Sequence, residues 1–401
     1  MLNGPFSPWP SFTQEEAEAV QNVLLSNKVN YWTGNECVEF EKEFAHFAET
    51  KHAIALANGT NALDLALKGL GIGEKNNEEV IVTSRTYVAS ASSIANAGAV
   101  PVFADIDRDS QNITAATVAE KITPRTRAII AVHLAGWPCE MRELMALAEQ
   151  HGLYVIEDCA QAHGARYQGQ SVGGIGHVGC WSFCQDKIMT TGGEGGMVTT
   201  NDTALWKRMW AYKDHGKSWE AVHEQKHPPG FRWLHETFGT NWRMTEMQAA
   251  IGRIQLKRMP EWSANRQTNA QRIWKAAVDC PALRVPVFCS DIVSETSNQN
   301  TQHGAYKCYV FIDPQQLGPS WDRDRILNEI NLRGVPCFSG SCSEVYLEKA
   351  FVNAGWQPQS SLPVARELGQ TSLMFLCHPT LTQGEIDKTC QVLNDVMNLT
   401  V

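Results

Sequence analysis

The sequence predicts an α/β protein, with a large domain around a mostly parallel sheet and a smaller C-terminal α+β domain. Three observations carry this. Short continuous apolar runs recur between positions 79 and 201, and stretches of helix formers separate them. Beyond residue 255 the alternation gives way to a long helical pattern and then to a second mixed pattern with fewer strands. Apolar runs without polar alternation suit strands buried on both faces, and the intervening helices supply the crossovers that parallel pairing needs.

In chain order, "SFTQEEAEAVQNVLLS" opens on a polar cap and acids, then places Ala17, Val20, Val23 and Leu24 at helical spacing. Strands are expected at 79–84 (EVIVTS), 99–106 (AVPVFADI), 127–134 (RAIIAVHL), 153–158 (LYVIED), 177–183 (HVGCWSF) and 196–201 (GMVTTN). "CEMRELMALAEQHG" is one of the helices between them. The segment 214–240 is polar, aromatic and turn-rich without a period, and reads as a surface excursion. The helix starting at "MTEMQAAIGRIQL" then carries the chain out of the large domain, assigned to 1–255. In the small domain, 256–401, the strand run "AYKCYVFIDP" (305–314) precedes the helix "WDRDRILNEINLRG" and the helical tail "LTQGEIDKTCQVLNDVMNL".

A hydrophobic share of 43% and a charged share of 19% fit a globular enzyme. The net charge of -9 disfavours nucleic acid or an anionic membrane as partner. Twelve cysteines form no C-x-x-C pair, and most sit in apolar runs, as Cys159 does. They read as reduced core thiols rather than zinc ligands or disulfides, and no metal is expected. The start lacks the pattern of a signal peptide, and no apolar run reaches the roughly 18 residues of a membrane span. A cytoplasmic protein is expected.

Four places offer chemistry. In "HAIALANGTNALDLALKGLGIG" an apolar run ends at Asn58-Gly59-Thr60 and a helix begins. Free amides, a hydroxyl and the positive dipole end suit a phosphate there, although Thr60 also reads as a plain N-cap. "LYVIEDCAQAHGA" puts Glu157 and Asp158 at the carboxyl end of a strand, where ligands gather in open α/β sheets. A carboxylate there holds a cation, such as a pyridinium or a metal, or caps a following helix. Gln161 lies on the next turn, as a ligand contact or a polar surface residue, and Tyr87 follows another strand, where it stacks on a flat ligand or packs at the rim. In "SFCQDKIMTTGGEGGM", Ser182 ends a strand, Lys187 follows, and Gly192, Gly193, Gly195 and Gly196 permit close approach. A desolvated lysine attacks carbonyls, whereas a solvated one serves only solubility. Phosphate cradle, stacking ring, acid and amine together are what pyridoxal phosphate requires.

At these residues the chain resembles the DegT/StrS sugar aminotransferases, of the fold type I architecture, nearly end to end. The resemblance rests on "YWTGNECVEFEKEFAHF", "ANGTNALDLAL", "VIEDCAQAHGA", "SFCQDKIMTTGGEGGM", "GTNWRMTEMQAAIGRIQL" and "LCHPTLTQGEI". It implies that Lys187 anchors the cofactor as a Schiff base and shuttles a proton, while Asp158 keeps the pyridine nitrogen protonated. Gln161 would contact the ring-hydroxyl side, Tyr87 would stack on the ring, and Gly59, Thr60 and Ser182 would bind the phosphate. Asn241, in "GTNWRM", matches an asparagine that reaches the neighbouring subunit's phosphate, which implies a homodimer with shared sites. Glutamate is the implied amino donor. The implied acceptor is a nucleotide-linked keto-sugar, or a free keto-sugar acid such as an oxidised octulosonate destined for lipopolysaccharide. A sugar dehydratase of this type replaces the lysine, a non-catalytic sensor or scaffold dispenses with the lysine or the acid, and a cysteine desulfurase would recruit Cys337 or Cys342. Lysine at 187 with aspartate at 158 favours amine transfer. The 214–240 excursion, the loop "RGVPCFSGSCSEVYLEKAF" and the "GGEGG" run depart from the family pattern and bear on the sugar.

Overall fold

A computed structural model describes residues 5–286 and 300–400. Its first strand, β1 (His52–Leu56), is one the sequence reading did not assign. The apolar runs read as strands follow as β2 (Glu79–Thr83), β3 (Val100–Ala104), β4 (Thr126–Val132) and β5 (Tyr154–Asp158). A small hairpin, β6 (Arg166–Tyr167) and β7 (Gln170–Ser171), precedes β8 (Val178–Ser182) and β9 (Gly196–Thr200). The large sheet has the order β1-β9-β8-β5-β4-β2-β3. The pairs β2–β3, β2–β4, β4–β5 and β5–β8 are parallel, and β9 runs antiparallel to both β8 and β1. β1 escaped the reading because "HAIAL" is short and alanine-rich, with little intrinsic strand preference. Its pairing with β9, His52 opposite Thr200, joins positions far apart in sequence.

Both faces of this sheet are covered, as continuous apolar runs demand. Successive residues of β8 serve opposite faces. Cys180 joins the core beneath the helices Gly59–Gly69 and Met141–His151, and Trp181 joins Phe40, Phe44 and Phe183 under the helix Glu36–Phe47. The helix Glu246–Ala277 opens on a capping box between Thr245 and Gln248 and runs on through position 255, where the sequence reading divides the chain. Its first half packs on the large-sheet core through Ala249, Leu256 and Met259. Its second half, through Ala270, Ile273, Trp274 and Ala277, belongs to another core. That core sits under an antiparallel sheet of β10 (Leu283–Arg284), β11 (Cys308–Ile312), β12 (Cys337–Phe338) and β13 (Ser372–Phe375), in the order β10-β11-β13-β12. The helices Arg323–Leu332 and Gln383–Met397 cover it.

The 214–240 excursion begins anchored. A short helix, Trp219–His223, was not expected there; Trp219 lies 4.6 Å from Trp206 and 4.9 Å from Trp210 between ring centres. Farther along, Phe231, Trp233 and Phe238 are 79%, 84% and 98% exposed. All eleven described cysteines are free thiols, and no described helix is long and apolar enough to cross a membrane.

Candidate active site

The carboxyl ends of β5 and β8 and the amino end of the helix Gly59–Gly69 converge on a cavity of about 550 Å³. Gly59, Thr60, Tyr87, Asp158, Gln161, Ser182 and Lys187 all line it. Asn241 does not: it is exposed and bridges to Asp214 on the excursion.

Asn58, not Thr60, is the N-cap; its side chain accepts from Asn61 N at 2.9 Å. Gly59 and Thr60 therefore stand in the first helical turn, where backbone amides have no intrahelical acceptor. Glycine at 59 is dictated by packing. A Cβ there would lie 2.5 Å from Ser182 Cβ, so any larger residue drives the helix start off the end of β8. Gly196 answers the same constraint from β9, since its Cβ would lie 2.2 Å from the Asn58 carbonyl. Strand end, helix start and the glycine-rich turn thus close into a tight cradle with free amides, Thr60 and the Ser182 hydroxyl, a shape and donor set that fit a phosphate.

Asp158 is 6% exposed. Its oxygens accept from Ser90 Oγ at 2.7 Å and from the Ala160 amide at 3.1 Å, both neutral donors, and no helix follows for it to cap. A buried carboxylate held only by neutral donors suits a cationic ligand atom. The adjacent Glu157 faces elsewhere. Its carboxylate meets His133 Nε2 and the amides of Gly173, Ile175 and Gly176 at 2.6 to 3.0 Å. Among the described residues, His133, Glu157 and Cys159 are the one group of three or more His, Cys, Asp or Glu with ligand atoms within 4.8 Å of one another, and those four contacts already hold Glu157.

Gln161 accepts from the Ala135 amide through Oε1 at 2.8 Å, which leaves its NH2 group as the donor for the cavity. Tyr87 is 68% exposed and stands between this cavity and a second one of about 540 Å³. The Lys187 side chain is 15% exposed and lines both. Its Nζ lies 3.9 Å from Asp186 and 5.2 Å from the centre of the Tyr306 ring. Tyr306 donates to Asp186 at 2.5 Å. Burial, with the Asp186 charge added, pushes the Tyr306 phenol well up, so it stays a donor. Burial alone would raise Asp186, but the Lys187 charge and the Tyr306 hydroxyl outweigh it and hold the carboxyl below its ordinary value. Trp9 ties the chain's beginning to this loop by donating Nε1–H to the Lys187 carbonyl at 2.8 Å.

Ser90, Asp186 and Tyr306 went unnoticed in the sequence. Ser90 is one serine in "ASASS" and Tyr306 one ring in a strand run, so neither carries a local signal. Asp186 alone had one, as a carboxylate beside the singled-out lysine. Cys342 lines the second cavity and Cys337 is buried in β12. Burial pushes both thiols up, which disfavours either as a nucleophile.

Comparison with known proteins covers nearly the whole chain. The DegT/DnrJ/EryC1/StrS aminotransferase family matches residues 10–394. The chain is similar to the crystal structure of an aminotransferase from Psychrobacter cryohalolentis, with TM-score 0.96 and 61% identity over 99% of this chain and 100% of that one. It is 42% identical to the UDP-N-acetyl-3-dehydro-alpha-D-glucosamine 3-aminotransferase of Acidithiobacillus ferrooxidans, over 93% of this chain and 92% of that one. It is 35% identical to the dTDP-3-amino-3,4,6-trideoxy-alpha-D-glucose transaminase of Streptomyces venezuelae, over 92% and 89% respectively. With a cradle, an acid and an amine suited to one aromatic phosphate, the chain belongs to the DegT/DnrJ/EryC1/StrS family and is a pyridoxal-phosphate-dependent aminotransferase.

Proposed function

We propose that this enzyme transfers the amino group of glutamate to a nucleotide-linked keto-sugar in the cytoplasm, supplying amino sugars for cell-surface polysaccharide. In this reading it works as a homodimer, with Asn241 of the partner subunit completing each phosphate site. The observation that carries the chemistry is the meeting of Lys187, Asp158 and the Gly59–Thr60 helix start in one cavity. Relatives named for UDP- and dTDP-sugars support the acceptor. The exposed Phe231, Trp233 and Phe238, on the excursion just before Asn241, support a partner subunit on that face.

Bound in this cavity, pyridoxal phosphate supplies an electrophilic aldehyde and an electron-accepting ring. The Gly59 and Thr60 amides, with the Thr60 and Ser182 hydroxyls, hold the phosphate at the positive end of the helix. Asp158 holds a proton on the ring nitrogen, and its neutral partners Ser90 and Ala160 leave its charge for that task. Gln161 would donate toward the ring-hydroxyl edge, and Tyr87 would stack on the ring. Lys187 would hold the aldehyde carbon through its Nζ and, when free, would carry a proton beside it.

Borohydride treatment of the holoenzyme should fix the cofactor's mass to the peptide containing Lys187, and Lys187→Ala should abolish amine transfer while retaining free cofactor. Transfer at the wild-type rate by that variant would overturn the assignment. For the shared site, a mixed dimer of Lys187→Ala and Asn241→Ala chains should regain activity that neither homodimer has. Failure to regain it argues for sites complete within one subunit.

A further inference from the structure

Beyond Tyr306, on the small-domain side of Lys187, lies a third cavity of about 330 Å³. It shares Asp186, Tyr306 and Lys307 with the cavity that Lys187 lines. On its wall is Arg266, 1% exposed. One guanidinium nitrogen donates to the Tyr306 carbonyl at 3.4 Å, while Nε and the other terminal nitrogen have no hydrogen-bond partner. Lys307 stands beside it, with Nζ 4.9 Å from the centre of the Tyr306 ring. Asp186, the carboxylate whose field reaches Lys307, is already bound by the Tyr306 hydroxyl.

A buried guanidinium with two idle donors is costly, because desolvation is not offset by a counter-charge. The Trp9 ring, whose centre lies 4.9 Å from the Arg266 guanidinium carbon, and the Cys377 thiol give partial relief but no negative charge. Burial pushes Arg266 down to about 10, where it still carries its proton at neutral pH. His378, on the same wall, is pushed down to about 3 by burial and by the Arg266 and Lys307 charges, so it stays neutral and adds a polar edge. The wall therefore presents two cations whose missing partner is an anion, in a cavity that adjoins the one Lys187 lines.

We propose that Arg266 and Lys307 form the anion subsite of the transamination reaction, taking anionic oxygens of a substrate while its reacting carbon lies at Lys187. The proposal rests on the function inferred above and assigns it a specificity determinant. Anionic oxygens reach this enzyme from two sources, the carboxylates of the amino donor and the phosphates of a nucleotide-linked acceptor. A planar, bidentate guanidinium serves either.

The test uses wild-type holoenzyme with Arg266→Gln and Lys307→Met, and two probes. Glutamate is titrated against the change in cofactor absorbance in its half-reaction, and UDP and dTDP are titrated calorimetrically. In both variants the half-saturating concentration of at least one probe should rise about 10- to 100-fold, the loss of a charge-assisted hydrogen bond, with cofactor content unchanged. A rise for glutamate assigns the subsite to the donor, and a rise for the nucleotides assigns it to the acceptor. Unchanged titrations of both probes in a folded, cofactor-loaded variant overturn the proposal and leave Arg266 a packing residue. Should Arg266→Gln fail to fold, Lys307→Met at the cavity edge decides alone. If wild-type holoenzyme itself responds to no probe, it is the functional reading beneath the proposal that has failed.

Discussion

On the large-sheet side of Lys187, polar groups are short, local and mostly neutral: amides of a helix start, the Ser182 hydroxyl, one carboxylate held by Ser90 and Ala160. On the small-sheet side they are long and cationic, with Lys307 against Tyr306 and Arg266 half-unpaired behind it. The first side suits a ligand that stays, because backbone donors fixed by packing need no rearrangement when it binds. The second suits ligands that come and go, because its unpaired charge is relieved only while an anion is present. On the proposed reading, one molecule separates resident cofactor from exchanging substrate by the kind of donor on each wall.

Three substitutions would break or sharpen that contrast. The largest effect is expected of Asp158→Asn, which keeps the shape and removes the charge. Turnover should fall about 10²- to 10³-fold, while phosphate-driven cofactor retention changes far less. A near-normal rate would mean that the acid does not hold the ring proton. Next comes Gly59→Ala, whose added carbon meets Ser182 and displaces the helix start. Equilibrium titration of the apoprotein with pyridoxal phosphate should show roughly tenfold weaker binding, the loss of about one charge-assisted hydrogen bond. Unaltered affinity would show that the cradle tolerates the shift.

The smallest effect is expected of Glu385→Ala, which lines neither wall but holds Ser7 at the edge of the third cavity. Glu385 caps its own helix through Thr382 and accepts from the backbone and hydroxyl of Ser7. Burial raises this carboxyl, but the Thr382 and Ser7 donors outweigh burial and hold it below its ordinary 4.5. A carboxylate depressed in the folded state stabilises the protein above its unfolded value, and that contribution disappears as pH falls through the folded value. At pH 7 the variant should lose about 1 kcal/mol. The gap to wild type in thermal melts should close below about 4.5. A gap independent of pH would assign the loss to packing instead.

The same contrast explains what the sequence could say. The large-sheet wall is written in short contiguous stretches, Asn58-Gly59-Thr60, Glu157 to Gln161 and Ser182 to Gly196, each at a strand end or helix start. Local pattern suffices to find them, and the mostly parallel sheet follows from the same periodicity. The small-sheet wall takes Trp9, Arg266, Tyr306, Lys307 and His378 from segments that only tertiary folding brings together. Arg266 looks like any charge on an amphipathic helix until its burial is known. β1 was missed for a related reason, since its identity depends on a partner almost 150 positions away. The N-cap went to Thr60 rather than Asn58 because either side chain satisfies the rule, and only backbone geometry separates them.

The tie between Trp9 and the Lys187 carbonyl has a practical side. Ser7 and Pro8 grip Glu385 and Thr380 on one unit, and the next residue grips the Lys187 loop on another. The amino end is therefore a stitch between the two halves. Cutting back to residue 10 would remove the Trp9 hydrogen bond to the Lys187 carbonyl together with the Ser7 and Pro8 ties to Glu385 and Thr380.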